Sequence, residues 1–234
     1  VYERKNLKTV LSWSSGKDSA WALHVLRSQG VEVNALLTTV NEAFGRVAMH
    51  AVRRELLEAQ AEATGVRLKV VDLPWPCSNE VYEERMRIAT NALVEEGFDT
   101  IAFGDLFLRD IREYREERLE GTSIKPIFPL WEIPTDRLAK EMIAGGLKAR
   151  VTCVDPRKLT SDFAGREWNE EFLRDLPSSV DPCGENGEFH TFVYDGPMFN
   201  TPLNILSGEV VERDGFVFAD ILPLIRKQES VLSE

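Results

Sequence analysis

Cysteine is scarce and scattered in this chain: Cys77, Cys153 and Cys183 are three in 234 residues. An odd, widely spaced set supplies neither a disulfide framework nor the close pairs that zinc sites use, and a reducing compartment is the expectation. Long apolar runs are also missing. No segment nears the roughly 20 apolar residues that cross a bilayer, and Val1 to Lys8 holds no stretch of secretory length. The chain is therefore expected to be cytoplasmic, neither exported nor membrane-spanning. Positive charge is in deficit, with 28 Lys and Arg against 39 Asp and Glu and a formal net charge of -11. Recognition of a nucleic-acid backbone relies on Lys and Arg displacing counterions, so general nucleic-acid binding is disfavoured and only a local basic groove stays open. Internal repeats and biased segments are lacking too, and nothing in the composition decides for or against an oligomer.

What is present suits an ordinary globular chain, 43% hydrophobic and 29% charged. The first half alternates short β-rich runs with helical patterns, the signature of an α/β fold with a parallel sheet flanked by helices. Strands are predicted at Thr9 to Trp13, Val33 to Thr39, Leu68 to Leu73 and Thr100 to Phe103. Helices are predicted from about Asp18 to Gln29, Val47 to Thr64 and Asn79 to Glu96. Gly30, Gly65 and Gly97 follow at once, where a left-handed cap would end each helix. KPIFPLWEIP then concentrates three prolines between Ile124 and Pro134, which no long helix tolerates, and a boundary is placed there between residues 1–127 and 128–234. The second part reads as a smaller α+β unit: a helix near Thr135 to Ala144, a strand near Lys148 to Val154, a helix near Arg166 to Leu176, a strand at Phe189 to Tyr194 and a hairpin over Glu209 to Ala219 turning at Asp214-Gly215.

The densest chemistry is VLSWSSGKDSAWAL, Val10 to Leu23. A buried strand ends at Ser12 or Trp13, a small polar loop follows, and an amphipathic helix begins near Asp18. Successive backbone N-H groups beside a helix N-terminus favour a bound polyphosphate. Ser14, Ser15 and Ser19 add hydroxyls, Lys17 a positive charge, and Gly16 close backbone approach. A Walker loop is excluded, because its first glycine and its final Ser or Thr would fall on Leu11 and Asp18. The bland alternative is that Ser14 and Asp18 merely cap a helix.

Ligands of open parallel sheets gather outside the carboxyl ends of the strands, which singles out Thr38 at the end of the second strand and Gly104 and Asp105 after the fourth. Asp105 could hold Mg2+ or a ribose, or simply form a turn. His50, in a helical pattern, is by itself an ordinary surface histidine. The second concentration of chemistry is DPCGENGEFHT, Asp181 to Thr191. Gly184 and Gly187 bracket Glu185, Glu188 follows, and such loops often carry function. Alternation along Glu188, His190 and Phe192 would put the first two on one strand face, where they could orient an amine or ammonia nucleophile or move its proton. Thiol-protease and zinc readings of the cysteines and histidines lack ligand spacing and a third member.

Ser14-Ser15-Gly16-Lys17-Asp18-Ser19 resembles the SGGxDS signature of the PP-loop ATP pyrophosphatases, departing at Ser15, where the pattern has Gly. With Met49-His50, Ala59-Gln60-Ala61, Ala102-Phe103-Gly104-Asp105, Pro129-Leu130-Trp131 and CGENGEFHT followed by Asp195-Gly196-Pro197, the chain looks like the diphthine-ammonia ligase family over nearly its full length. The resemblance implies a Rossmann-like fold of the adenine nucleotide alpha hydrolase type and an ATP and Mg2+ dependence. It implies that Ser12, Ser14, Ser15, Gly16 and Ser19, with His50 and Asp105, serve ATP, and Thr38 and Gly104 join them from their place at the strand ends. Lys17 and Asp18 join them and count, with Glu185, Glu188 and His190, as candidate catalytic residues; Cys183 to Thr191 faces the acceptor. The family's reaction amidates diphthine, a modified histidine of translation elongation factor two, through an acyl adenylate, with ammonia as nucleophile and AMP and pyrophosphate as products. Members typically read GExGEFET, so Asn186 fills the variable position and His190 replaces a glutamate, a change that suits a different acceptor. The competing readings are a PP-loop enzyme acting on a small molecule or tRNA, and a nucleotide-binding module without turnover.

Overall fold

The chain's computed structural model describes residues 7–47 and 51–224. Its first half is built on β1 (Thr9–Ser12), β2 (Val33–Asn41), β4 (Arg67–Leu73), β5 (Thr100–Ala102) and β6 (Lys125–Ile127), parallel to their neighbours in the order β4-β2-β1-β5-β6. A two-residue strand, β3 (Arg46–Val47), pairs antiparallel with Val40 and Asn41 at the end of β2. Val10 and Leu11 in β1 are wholly inaccessible, as a strand covered on both faces requires. The chain leaves β1 toward β2 and β4, then returns to β5 on the other side of β1. This reversal opens a crevice outside the carboxyl ends of β1 and β5.

Four helices accompany the sheet: α1 (Lys17–Ser28), α2 (Arg54–Thr64), α3 (Asn79–Glu95) and α4 (Arg109–Leu119). Gly30, Gly65 and Gly97 follow the first three at φ of 75°, 69° and 81°, the left-handed conformation expected of them. Two expectations need correction. The second helix begins at Arg54, not Val47, because Val47 is taken by the β2 ladder. The helix α4 was not foreseen. Eight of its eleven residues are charged and only Leu119 is buried, so it has no apolar stripe to announce it.

The second half adds α5 (Thr135–Ala144), β7 (Lys148–Val154), β8 (Glu167–Trp168), α6 (Glu170–Asp175), β9 (Phe189–Asp195), β10 (Ile205–Arg213) and β11 (Phe216–Pro223). Its sheet is antiparallel, with β7 at the centre paired to β9, β11 and β8. The helix expected from Arg166 is shorter than predicted. Glu167 and Trp168 pair with Arg150 and Ala149 in the sheet, and the helix starts only after Asn169, whose side chain accepts from Phe172 N at 2.9 Å. The hairpin turns at Asp214 and Gly215, both left-handed at φ of 53° and 77°, as a two-residue turn between twisted strands demands.

Burial does not respect the boundary between the halves. One continuous cluster joins Leu11, Leu23 and Leu57 to Leu138, Val151 and Phe192. The two halves therefore share one core, and β9 lies against the loop that follows β1, where Val193 N meets Ser15 O at 3.0 Å. Among the described residues, no helix is long and apolar enough to cross a membrane.

Candidate active site

The loop between β1 and α1 is closed and pre-shaped. Gly16 is the residue before the first helical turn, and Ser19 Oγ donates back to its carbonyl at 3.0 Å. Ser14 N donates to Ser19 Oγ at 3.3 Å, and Gly16 N to Ser14 Oγ at 3.3 Å. Ser15, the departure from glycine noted in the sequence, is fully buried at φ 70° with its hydroxyl unpaired. A serine held left-handed carries backbone strain that its surroundings must offset. Part of that support is visible: Val193 N, from β9, donates to Ser15 O at 3.0 Å.

Lys17 sits where the sequence placed a phosphate ligand, but its side chain is buried and turned toward the second half of the chain. Nζ donates to both carboxylate oxygens of Asp18, at 3.0 and 2.8 Å, and to the carbonyl of Cys183. It also stands 5.6 Å from the ring centres of Trp168 and Phe189. Burial is the largest single influence and lowers the Lys17 pKa, but the Asp18 carboxylate, with Cys183 and Glu185, raises it, and the net direction is upward. The side chain thus ties the start of α1 to the loop that carries Glu185.

Gly104 packs directly on the start of α1. A Cβ there would lie 3.0 Å from Asp18 C and Ser19 N, so only glycine lets β5 end this close to the phosphate loop. Asp105 behaves differently from the expectation of a metal ligand. Arg115 of α4 grips both of its oxygens, at 2.6 and 3.0 Å, and stacks 4.4 Å above Phe103. Among the described residues no group of three or more His, Cys, Asp and Glu gathers into a metal cage. Thr38 is buried with its hydroxyl unpaired. His50, assigned to ATP in the sequence, lies outside the described residues.

The loop Asp181 to Thr191 is pinned from within. Asp181 Oδ1 accepts from Cys183 N at 2.8 Å and Glu185 N at 3.3 Å, while its Oδ2 accepts from Thr135 Oγ1 at 2.7 Å. Glu188 is buried and turned into the same loop: Oε1 accepts from Asp181 N and Asn186 Nδ2, both at 3.1 Å, and Oε2 has no partner. It precedes β9, so strand alternation does not place it beside His190, and it is not among the groups that line the cavity. Gly184 has φ 69°, and a Cβ on it would meet Phe189 O at 2.8 Å, which fixes the sharp bend that returns the loop to β9.

Glu185 points the other way. Its Oε1 accepts from Leu106 N at 2.8 Å, which ties the loop after β5 to the loop before β9. Burial first, and the Asp18 carboxylate second, push its carboxyl up to about 7. A carboxyl balanced near neutrality in a cleft is suited to taking and returning protons. Cys183 has the opposite character. Its thiol donates to Thr135 O at 3.6 Å and burial raises its pKa far beyond the thiolate range, which makes it a structural residue.

These groups enclose one cavity of about 950 Å³. Its inner wall is Ser12, Ser14, Asp18, Ser19 and Thr38, with Gly104 and Asp105 at the end of β5; Glu185, His190 and Thr191 form the opposing side. Tyr82, Met86 and Arg87 of α3 and Tyr114, Arg115 and Arg118 of α4 complete the outer wall. The α4 residues went unseen in the sequence because the helix did; the spacing of Arg112 and Glu116, which pair at 2.8 Å, was the available sign of it.

Two family models match the chain. A family model described as Diphthamide synthase N-terminal domain matches residues 7–124, and one described as Diphthamide synthase C-terminal domain matches residues 134–224. The protein named Diphthine--ammonia ligase in Bos taurus is 25% identical over 231 residues, covering 89% of this chain and 86% of that protein. The protein of that name in Danio rerio is 24% identical over 233 residues, covering 89% and 90%, and that in Homo sapiens is 27% identical over 151 residues, covering 62% and 56%. With two matched domains and the PP-loop fold beneath them, the chain belongs to the diphthamide synthase family.

Proposed function

We propose that this chain is an ATP-dependent ligase of the diphthine-ammonia ligase type, which activates a carboxylate by adenylation and transfers it to ammonia. The observation that carries the reading is the position of Glu185, a carboxyl near neutrality between the phosphate loop and the loop before β9.

Residues 1–127 would supply the ATP site and residues 128–234 the acceptor surface. The residues fit a polyphosphate: a helix N-terminus, the Ser14 and Ser19 hydroxyls and the close Gly104 backbone meet in one cavity, and Thr38 brings an unpaired hydroxyl to its wall. ATP supplies an activated α-phosphorus. A carboxylate oxygen of the acceptor attacks it, the bond to the β-phosphate oxygen breaks, and pyrophosphate leaves. Ammonia then attacks the acyl carbon of the mixed anhydride and AMP departs. Glu185, as the carboxylate, accepts the proton that the nitrogen loses. His190, at the edge of the same cavity, orients the nucleophile, whereas Glu188 and Asp181 hold the loop in shape. Lys17 and Asp18 anchor that loop to the phosphate loop. Arg115 holds both Asp105 oxygens in this fold, so Asp105 is assigned to Arg115 and no step is routed through Mg2+. Diphthine is the acceptor that the relatives' names suggest, and the family resemblance of the sequence implies that it is carried on an elongation factor.

The test is product identity. ATP labelled at the α-phosphate, incubated with ammonium and diphthine-bearing elongation factor, should yield AMP in step with amide. Release of ADP, or amide formed without ATP cleavage, would overturn the proposal.

A further inference from the structure

Gln60 of α2 has no exposed surface and does not line the cavity, yet its carboxamide is bonded on every side to the framework of the phosphate loop. Oε1 accepts from Trp13 Nε1 at 3.0 Å, and Nε2 donates to Ser15 O at 3.1 Å and to Val193 O at 2.6 Å. The orientation of the amide is forced by its partners. An indole N-H can only donate and two carbonyls can only accept, so oxygen must face Trp13 and nitrogen must face Ser15 and Val193. One side chain thus joins the exit of β1, the loop and β9.

The consequence lies in the Ser15-Gly16 peptide. Its carbonyl is held toward α2 and β9 by two donors, Gln60 Nε2 and Val193 N at 3.0 Å. In a trans peptide the N-H points opposite to the carbonyl. Gly16 N is therefore turned toward Ser14, whose hydroxyl it reaches at 3.3 Å and which lines the cavity. The left-handed Ser15, at φ 70°, is the residue about which this plane would otherwise rotate. Glycine would adopt that conformation at no steric cost, whereas serine needs external support.

We infer that Gln60 is a positioning residue for the phosphate loop: it fixes the Ser15-Gly16 plane so that Gly16 N-H holds the Ser14 hydroxyl, which lines the cavity, and the left-handed serine at position 15 leans on that support. The inference rests on the reading that this loop takes the β- and γ-phosphates of ATP.

The test compares ATP with AMP on the full chain by calorimetric titration, since AMP lacks the phosphates that the loop would hold. In Gln60→Met the Kd for ATP should rise roughly tenfold, the scale of one or two lost hydrogen bonds, while the Kd for AMP stays within about twofold of the parent. In a Ser15→Gly background the same change should cost about threefold or less, because glycine removes the need for support. Equal losses for ATP and AMP, or a penalty for Gln60→Met that Ser15→Gly leaves unchanged, would overturn the inference. Should Gln60→Met not fold, Gln60→Asn, which keeps the amide but shortens its reach, carries the same comparison; failure of both to fold would make Gln60 a folding residue and likewise overturn it. An unmutated chain that binds no ATP would remove the underlying reading, a result recognisable before any variant is made.

Discussion

Lys17 N donates to Thr191 Oγ1 at 3.1 Å, across 174 residues of chain. The first turn of any helix has N-H groups without internal partners, usually satisfied by a side chain just before it. Gly16 has none to offer, so β9 provides the cap. The N-terminus of α1 is finished by the opposite half of the protein, and the same strand also supports Ser15. Thr191→Val keeps the shape and removes the acceptor. A buried N-H left unpaired costs about 1–3 kcal/mol, and at this chain length each kcal/mol shifts Tm by about 2–4 °C. Scanning calorimetry should show a fall of about 5 °C, with a weakened ATP affinity beside it; an unchanged Tm would mean that the cap contributes nothing.

Ser15→Gly acts in the reverse direction on stability. It relieves a left-handed serine, worth about 1–3 kcal/mol, and removes a buried hydroxyl that has no partner. Glycine gives back about 0.5–1 kcal/mol through the freedom of the unfolded chain. Net stabilisation of about 1 kcal/mol is expected from urea unfolding, seen as a higher midpoint at constant slope.

Glu185 gives a pH signature. Its carboxyl rises from an ordinary value of 4.5 to about 7 in the fold, so between these values the folded state holds more protons than the unfolded one. The contribution of this group to stability is complete below pH 4.5 and is lost as pH rises through about 7. Glu185→Gln can still accept from Leu106 N and carries no charge. Its Tm should match the parent near pH 4.5 and exceed it at pH 8, while amide formation at fixed free ammonia drops by about 10²–10⁴ and loses its rise through neutrality. A parallel pair of Tm curves would show that the carboxyl titrates normally.

Asp105→Asn separates a structural carboxylate from a metal ligand. Arg115 loses a bidentate partner, and stability should fall by about 1–3 kcal/mol. The Mg2+ concentration giving half-maximal ATP turnover should not move. A large increase in that concentration would return Asp105 to the metal.

Four strands of the first sheet and the loop after β1 were legible because short-range signals agreed with tertiary demands: Val10 and Leu11 are apolar and buried, and Gly30, Gly65 and Gly97 end helices with positive φ; the short β3, β6 and β8 carried no such signal. The errors arose where long-range pairing prevailed. Val47 fits a helical pattern but is held by Val40, and Trp168 fits the following helix but pairs with Ala149. The helix α4 gave no apolar period to find. In the site, both loops were visible from composition, yet the division of labour inside Asp181 to Thr191 was not. Nothing local distinguishes Glu185, which reaches Leu106 far along the chain, from Glu188, which reaches Asp181 close by. Gln60 stood in a segment that carries the family resemblance, but its role was equally hidden, since its partners Trp13, Ser15 and Val193 converge only in three dimensions.

Because one apolar cluster runs through both sheets, neither half owns its interior. A fragment ending near the proline-rich segment would cut through that cluster, removing Leu138, Val151 and Phe192 from the core that Leu11, Leu23 and Leu57 share with them. The first half is thus no portable cassette: its folding is bound to that of the strand that braces it, and heat should dismantle both in one cooperative transition.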